Sequence, residues 1–143
     1  MQEHRYKPLT DKLFYLLATF TLLITLTPTV ICGILAPTTL FITLPILLFT
    51  AYFLLSPLFG YVELREASLY IKYGFIVSRE IPYEKIRKIE TERKIISPSI
   101  LSIKNALDHI NIKYNTFDLT TVSLKKSDEF ILALNGKCEG RLL

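Results

Sequence analysis

Two hydrophobic patterns divide the chain. From Leu13 to Val62 there are fifty residues without Asp, Glu, Lys, Arg or His. The hydrocarbon core of a bilayer takes about 20 apolar residues per helix, so this run holds two crossings. Pro37 lacks an amide donor and turns Ala36 away from helical angles. The run therefore predicts helices over residues 13–35 and 39–59, a tight transmembrane hairpin.

From Tyr61 the period drops to two. Val62 and Leu64 alternate with Glu63 and Arg65, then Leu69, Ile71 and Tyr73 with Tyr70 and Lys72, which predicts two half-buried strands joined by Glu66-Ala67-Ser68. Gly74 permits a turn into a third strand over residues 75–82, with Pro82 at an edge or bend. Ile86 and Ile89 return to the core at a spacing of three, which fits neither clean alternation nor so short a helix. Residues 94–108 form a less regular crossing that opens with Ser97-Pro98-Ser99. Ile110, Ile112 and Tyr114 then oppose Asn111, Lys113 and Asn115 in a strand, residues 115–118 are turn-like, and residues 120–124 make a further strand. Ser127 reads as an N-cap, with Asp128 and Glu129 where the helix dipole favours negative charge. Phe130, Ala133 and Leu134 share one face of a helix stopped by Asn135-Gly136. The class is α+β, in three parts: an N-terminal arm (1–12), the hairpin (13–60) and the strand-rich region (61–143).

Charge fixes the expected orientation. Arg5, Lys7 and Lys12 precede the first helix, Arg65 and Lys72 follow the second, and the turn between them has no basic residue. Both termini are expected in the cytoplasm, with the hairpin in the bacterial cytoplasmic membrane. The second apolar segment and the lack of a small-x-small cleavage pattern argue against a cleaved signal. Thr29-Val30-Ile31 lacks the small residue that lipid attachment at Cys32 needs, and Cys32 and Cys138 make neither a disulfide framework nor a metal clamp. Pro28, Pro45 and Pro57 free backbone carbonyls that the many threonines are placed to satisfy. The hairpin has no acid, base or cation for transport or proteolysis within the bilayer, so it reads as an anchor. Self-association through these helices is left open.

"LYIKYGFIVSREIPYEKIRKIE", "SPSILS", "DHINIKYN" and "VSLKKSDEFILAL" resemble, in that order, the bacterial pleckstrin-homology-like family found behind short membrane hairpins (YyaB-like). The resemblance covers roughly residues 61–135; His109 stands where members commonly carry a basic residue, and the crossing before it is longer. It implies a bent antiparallel barrel of seven strands, capped by a C-terminal helix, with no catalytic residue. Related eukaryotic domains bind inositol phosphates through basic residues around the first hairpin loop. Here that loop is short and carries Glu66.

The densest charge lies in residues 79–94, with six basic and four acidic side chains. Lys85, Arg87, Lys88, Arg93 and Lys94 are the candidate surface for a protein partner or lipid headgroups. Their net excess of two adds modestly to membrane attachment, at about 1 kcal/mol per basic residue, so a solvated face is the leading reading. An open sheet edge that accepts a partner's extended segment is a further expectation. Asp108-His109 with Ser97, Ser99 and Ser102 lack the elbow and oxyanion pattern of a nucleophilic site. His4 has no metal-ligand partner nearby, the glycines form no phosphate loop, and no stacking aromatics interleave the basic residues as nucleic-acid binding requires. Neither catalysis nor a cofactor is expected. The expected function is a non-enzymatic scaffolding or interaction module held at the membrane, with a protein partner of unknown identity; the alternative is self-protection against a bacteriocin or toxin at the bilayer.

Overall fold

Ala36 leaves the helix at φ −147°, ψ 82°, immediately before Pro37, which is where the proline's missing donor breaks the apolar run. In the computed structural model, which describes residues 5–142, α1 spans Lys12–Leu35 and α2 spans Leu40–Leu55. Short 3-10 turns at Pro37–Thr39 and Ser56–Phe59 flank α2. Gly33 admits Leu40, whose Cδ2 would lie 3.0 Å from a Cβ at that position. Both segments, Lys12–Leu35 and Pro37–Phe59, are long and apolar enough to cross a membrane. The prolines free the Ile24 and Phe41 carbonyls, yet the threonines bond elsewhere. Thr21, Thr27 and Thr29 donate to the carbonyls of Leu17, Leu23 and Thr25, and Thr50 to that of Ile46. Each hydroxyl reaches back one turn along its own helix, which satisfies it within the helix without repairing the proline gap.

Residues 5–11 fold with residue 57 onward into a separate unit. One sheet has the order β1 (Arg5–Tyr6), β2 (Tyr61–Leu64), β3 (Ser68–Lys72), β4 (Ser78–Pro82). The other sheet has the order β5 (Ile86–Arg93), β7 (Asp108–Tyr114), β8 (Asp118–Val122), β6 (Ser102–Ile103). Inward side chains of both, among them Val62, Leu69, Ile71, Ile81, Ile110, Ile112 and Val122, meet Phe130 and Leu134 of α3 (Ser127–Lys137) in one core. The α+β class with a closing helix is therefore realised as two four-stranded sheets. Two short strands add to the expected meander: β1, from the N-terminal arm, and β6, which lies parallel to β8.

Local differences from the sequence expectation have physical causes. Ile86 pairs with Tyr114 and Lys88 with Lys113, leaving Arg87 as a bulge; the extra residue turns a spacing of three into two core-facing positions. The third strand begins at Ser78 rather than Phe75. Tyr73 is anchored by its hydroxyl to Thr120, Gly74 takes φ 139°, and the Tyr73 amide donates to the Val77 carbonyl at 2.8 Å. That turn leaves Phe75, Ile76 and Val77 at its tip. The helix passes through Asn135 and Gly136 and ends at Cys138, followed by the left-handed Glu139 and Gly140. Lys126, not Ser127, holds the cap position, and no side chain caps it.

Alternation also misses a buried polar layer. His109, Asn111 and Thr121 lie on the outer face of the second sheet but are covered. Asn111 accepts from the Thr121 hydroxyl at 2.7 Å and donates to Glu92 at 3.1 Å, while Ser97 of the serine-rich crossing donates to Thr121 at 2.7 Å. The crossing is therefore a cover folded over β8, held there by the Ser97–Thr121 bond and by Ser99, whose hydroxyl donates to the Leu119 carbonyl at 2.8 Å.

Candidate interaction surface

The strand register gives the β unit two ends. At one end, called proximal, the chain departs at Asp11 and returns at Pro57. The segment 104–107 ties these points together: the Asp11 amide donates to the Asn105 carbonyl at 2.8 Å, the Leu107 amide to the Asp11 carboxylate at 2.9 Å, and the Asn105 side-chain amide to the Pro57 carbonyl at 2.9 Å. At the opposite, distal end lie the β2–β3 turn, the Tyr83–Lys85 turn and the β7–β8 turn.

Strand β5 runs from the distal end to the proximal one, so it separates the five sequence-predicted residues. Lys85, Arg87 and Lys88 lie at its start, Arg93 and Lys94 at its end. Eight residues of strand extend about 23 Å, so no ligand headgroup meets all five. Their partners differ too. Arg93 faces Asp108 at 3.7 Å and Lys94 faces Glu92 at 3.2 Å. Lys88 and Lys113 clamp Glu90 at 2.7 and 2.8 Å; hydrogen bonds from Lys113 and then Lys88 hold its carboxyl down at about 2. Among the described residues no acid pairs with Lys85 or Arg87.

Those two cations border a pair of shallow depressions, of about 490 and 160 Å³, that meet at Tyr114, Asn115 and Asp118. Arg79, Lys88 and Lys113 complete the basic lining, against the carboxylates of Glu80 and Asp118. Arg79 donates to the Tyr114 hydroxyl and lies 5.7 Å from the centre of its ring. The turn is set by Asn115, at φ 51°, whose amide donates to the Lys85 carbonyl at 2.9 Å and whose side chain bonds Asp118 at 2.6 Å. Phe117, 95 % exposed, projects from the turn beside this basic lining. Sequence reasoning missed Lys113 and Phe117, which the β5–β7 pairing and the turn after β7 bring to Arg87, and Arg79, which reaches the site from β4 through its bond to Tyr114. The paired strands and the turn-like residues 115–118 were the available signal.

The β2–β3 turn has different electrostatics. Glu63, 2 % exposed, receives Arg5 at 3.0 Å and Arg65 at 3.2 Å, and Arg65 also reaches Glu80 at 3.3 Å and lies over the Tyr70 ring at 4.0 Å. Ser68 donates to Glu80, the main cause of that carboxyl's lowered pKa. Arg65 is thus already matched by two carboxylates and is a poor phosphate ligand.

The serine and histidine candidates do not assemble. His109 Nδ1 bonds the Leu107 carbonyl at 2.8 Å and its Nε2 lies 3.8 Å from Glu92. Ser99 donates to the Leu101 and Leu119 carbonyls, and Ser97 to Thr121. Among the described residues no three His, Cys, Asp or Glu side chains form a metal-holding group; His4 lies outside those residues.

The comparisons agree with this architecture of two sheets closed by a helix. No curated protein and no solved structure matches the chain. The family described as Bacterial PH domain matches residues 60–138, from the end of the second apolar segment through the C-terminal helix, and the chain belongs to that family.

Proposed function

We propose that the protein is a non-catalytic, membrane-anchored PH module that holds an acidic segment of a protein partner in the cytoplasm, using the basic groove at its distal end. The observation that carries the reading is the pairing pattern along β5: among the described residues Lys85 and Arg87 have no carboxylate partner, and Arg87 shares its depression with the exposed Phe117, whereas Arg93 and Lys94 are matched by Asp108 and Glu92. With α1 and α2 spanning the cytoplasmic membrane and both termini inside, connectivity brings the proximal end to the bilayer. The distal groove lies about 23 Å along β5 from that end. Screening reduces surface fields over about 8 Å at physiological salt, so the groove is too distant for headgroup attraction and suited to a soluble acidic chain. The aromatic anchor among cations fits the usual make-up of a protein-binding hot spot.

The test is in-cell crosslinking of the full-length protein, comparing wild type with a distal variant (Lys85→Ser, Arg87→Ser, Phe117→Ser) and a proximal one (Arg93→Ser, Lys94→Ser). A partner lost only in the distal variant supports the reading. Equal recovery from all three rejects it, and toxin sensitivity of a deletion strain that the distal variant fully rescues would redirect the function to self-protection by another surface.

A further inference from the structure

The proximal end carries an apolar feature that the core does not use. Phe75, Ile76 and Val77, at the tip of the β3–β4 turn, are 48, 79 and 43 % exposed. The tip is held rigidly: the Tyr73–Val77 amide bond closes it, and the Phe75 ring stacks at 4.8 Å on Phe59, the last residue of the second apolar segment. Gly60 fixes this contact. A Cβ there would lie 2.7 Å from the Lys72 carbonyl and 2.9 Å from Ile103, so the chain leaving the apolar segment presses directly on the start of the tip. A second apolar pair, Ile95 and Ile96, is exposed just after Lys94, whose amide bonds the Leu107 carbonyl at the same end.

We propose that the Phe75-Ile76-Val77 tip is a membrane-dipping wedge that seats the β unit on the lipid interface. The inference rests on the membrane-spanning reading and adds to it a second, non-helical attachment. Three observations favour lipid over a protein occupant. The tip touches the terminal residue of the apolar segment itself. The chain enters and leaves the β unit at this same end, so the end cannot move far from the bilayer while the hairpin spans it. Lys72, at the end of β3 where the tip begins, and Lys104, whose ammonium bonds the Lys94 carbonyl, stand at this end with the apolar residues, the combination of apolar anchor and cations that suits an anionic interface.

The experiment uses the full-length protein in anionic nanodiscs, with Cys138→Ala in every variant and one environment-sensitive nitrobenzoxadiazole label each. The label sits at Ile76→Cys, at Phe117→Cys as the distal control, or at the native Cys32 within the apolar segment; the first two also carry Cys32→Ser. Brominated lipids should quench the label at 76 and at 32 but not at 117, with blue-shifted emission at 76. If 32 is quenched while 76 behaves like 117, the wedge is wrong and the membrane reading stands. If 32 is not quenched either, both fall. Ile76 is a surface residue, so loss of the fold does not obscure the result.

Discussion

The two ends of the β unit are built from the same sheets yet are chemically opposite. The proximal end exposes Phe75, Ile76, Val77, Ile95 and Ile96 and matches its β5 cations with acids; the distal end leaves Lys85 and Arg87 without an acid among the described residues, and Arg87 lies by the exposed Phe117. Charge density along the sequence does not reveal this difference, since residues 79–94 supply both ends. What matters is which cations meet a carboxylate, on β5 itself or across the β5–β7 ladder.

Both ends depend on one core, so the largest effect should abolish the comparison altogether. Phe130 is fully buried, and its ring meets Tyr6 edge-on at 5.2 Å. Phe130→Ala should cost about 3–5 kcal/mol, as large core truncations do. Hydrogen exchange should then accelerate in both sheets at once, while exchange confined to α3 would mean that the helix is a separable lid.

A smaller change should break only the proximal end. Asn105, 1 % exposed, donates to the half-buried Pro57 carbonyl, which also accepts from the Gly60 amide at 3.4 Å; Asn105→Leu removes the shorter of these bonds and should destabilise the unit by about 0.5–1.5 kcal/mol, the net worth of one hydrogen bond. Protease cleavage near residues 57–60 should rise, with partner crosslinking at the distal groove retained. Gly60→Ala, forced against the Lys72 carbonyl, should act in the same direction.

Glu90 sharpens the distal side. Its carboxyl pKa is lowered from an ordinary 4.5 to about 2. Because the folded value is the depressed one, its stabilisation is complete above about pH 4.5 and is lost as the pH falls through about 2. A carboxyl-carbon NMR titration should show this low midpoint, moving toward 4.5 in Lys113→Ser. Glu90→Gln releases Lys88 and Lys113 into the groove and should tighten binding of an acidic peptide, by a factor that shrinks with added salt.

The elements legible in the sequence were those whose pattern reports one local choice. The proline break after Ala36, the alternating β2 and β3, and the amphipathic α3 all follow from period or punctuation. What escaped depended on tertiary neighbours. Arg87 as a bulge is visible only against Tyr114 and Lys113, and His109 and Asn111 look solvent-facing until the serine crossing covers them. Phe75-Ile76-Val77 reads as strand because apolar residues are expected to be buried, and nothing local says that Tyr73 has already closed the turn. Of the candidate surface, Lys85, Arg87 and Lys88 were legible as charge. Their separation from Arg93 and Lys94 required the direction of β5.

The smallest expected effect is the most discriminating. Replacing Arg93 and Lys94 by Ser removes two cations, and by composition alone this should weaken any acidic partner as much as removing Lys85 and Arg87. The structure predicts otherwise. Each of the two is exposed and faces a carboxylate, and exposed pairs contribute about 0–1 kcal/mol, so the fold should be unaffected. The partner groove lies about 23 Å along the strand, beyond the reach of screened charge. Affinity for an acidic peptide should therefore be unchanged at physiological salt and should fall only at low ionic strength, where the Debye length grows to about 30 Å at 0.01 M and the whole surface is felt. Equal losses from both variants at physiological salt would mean that the cluster acts as a diffuse field, and the distinction between the two ends would fail.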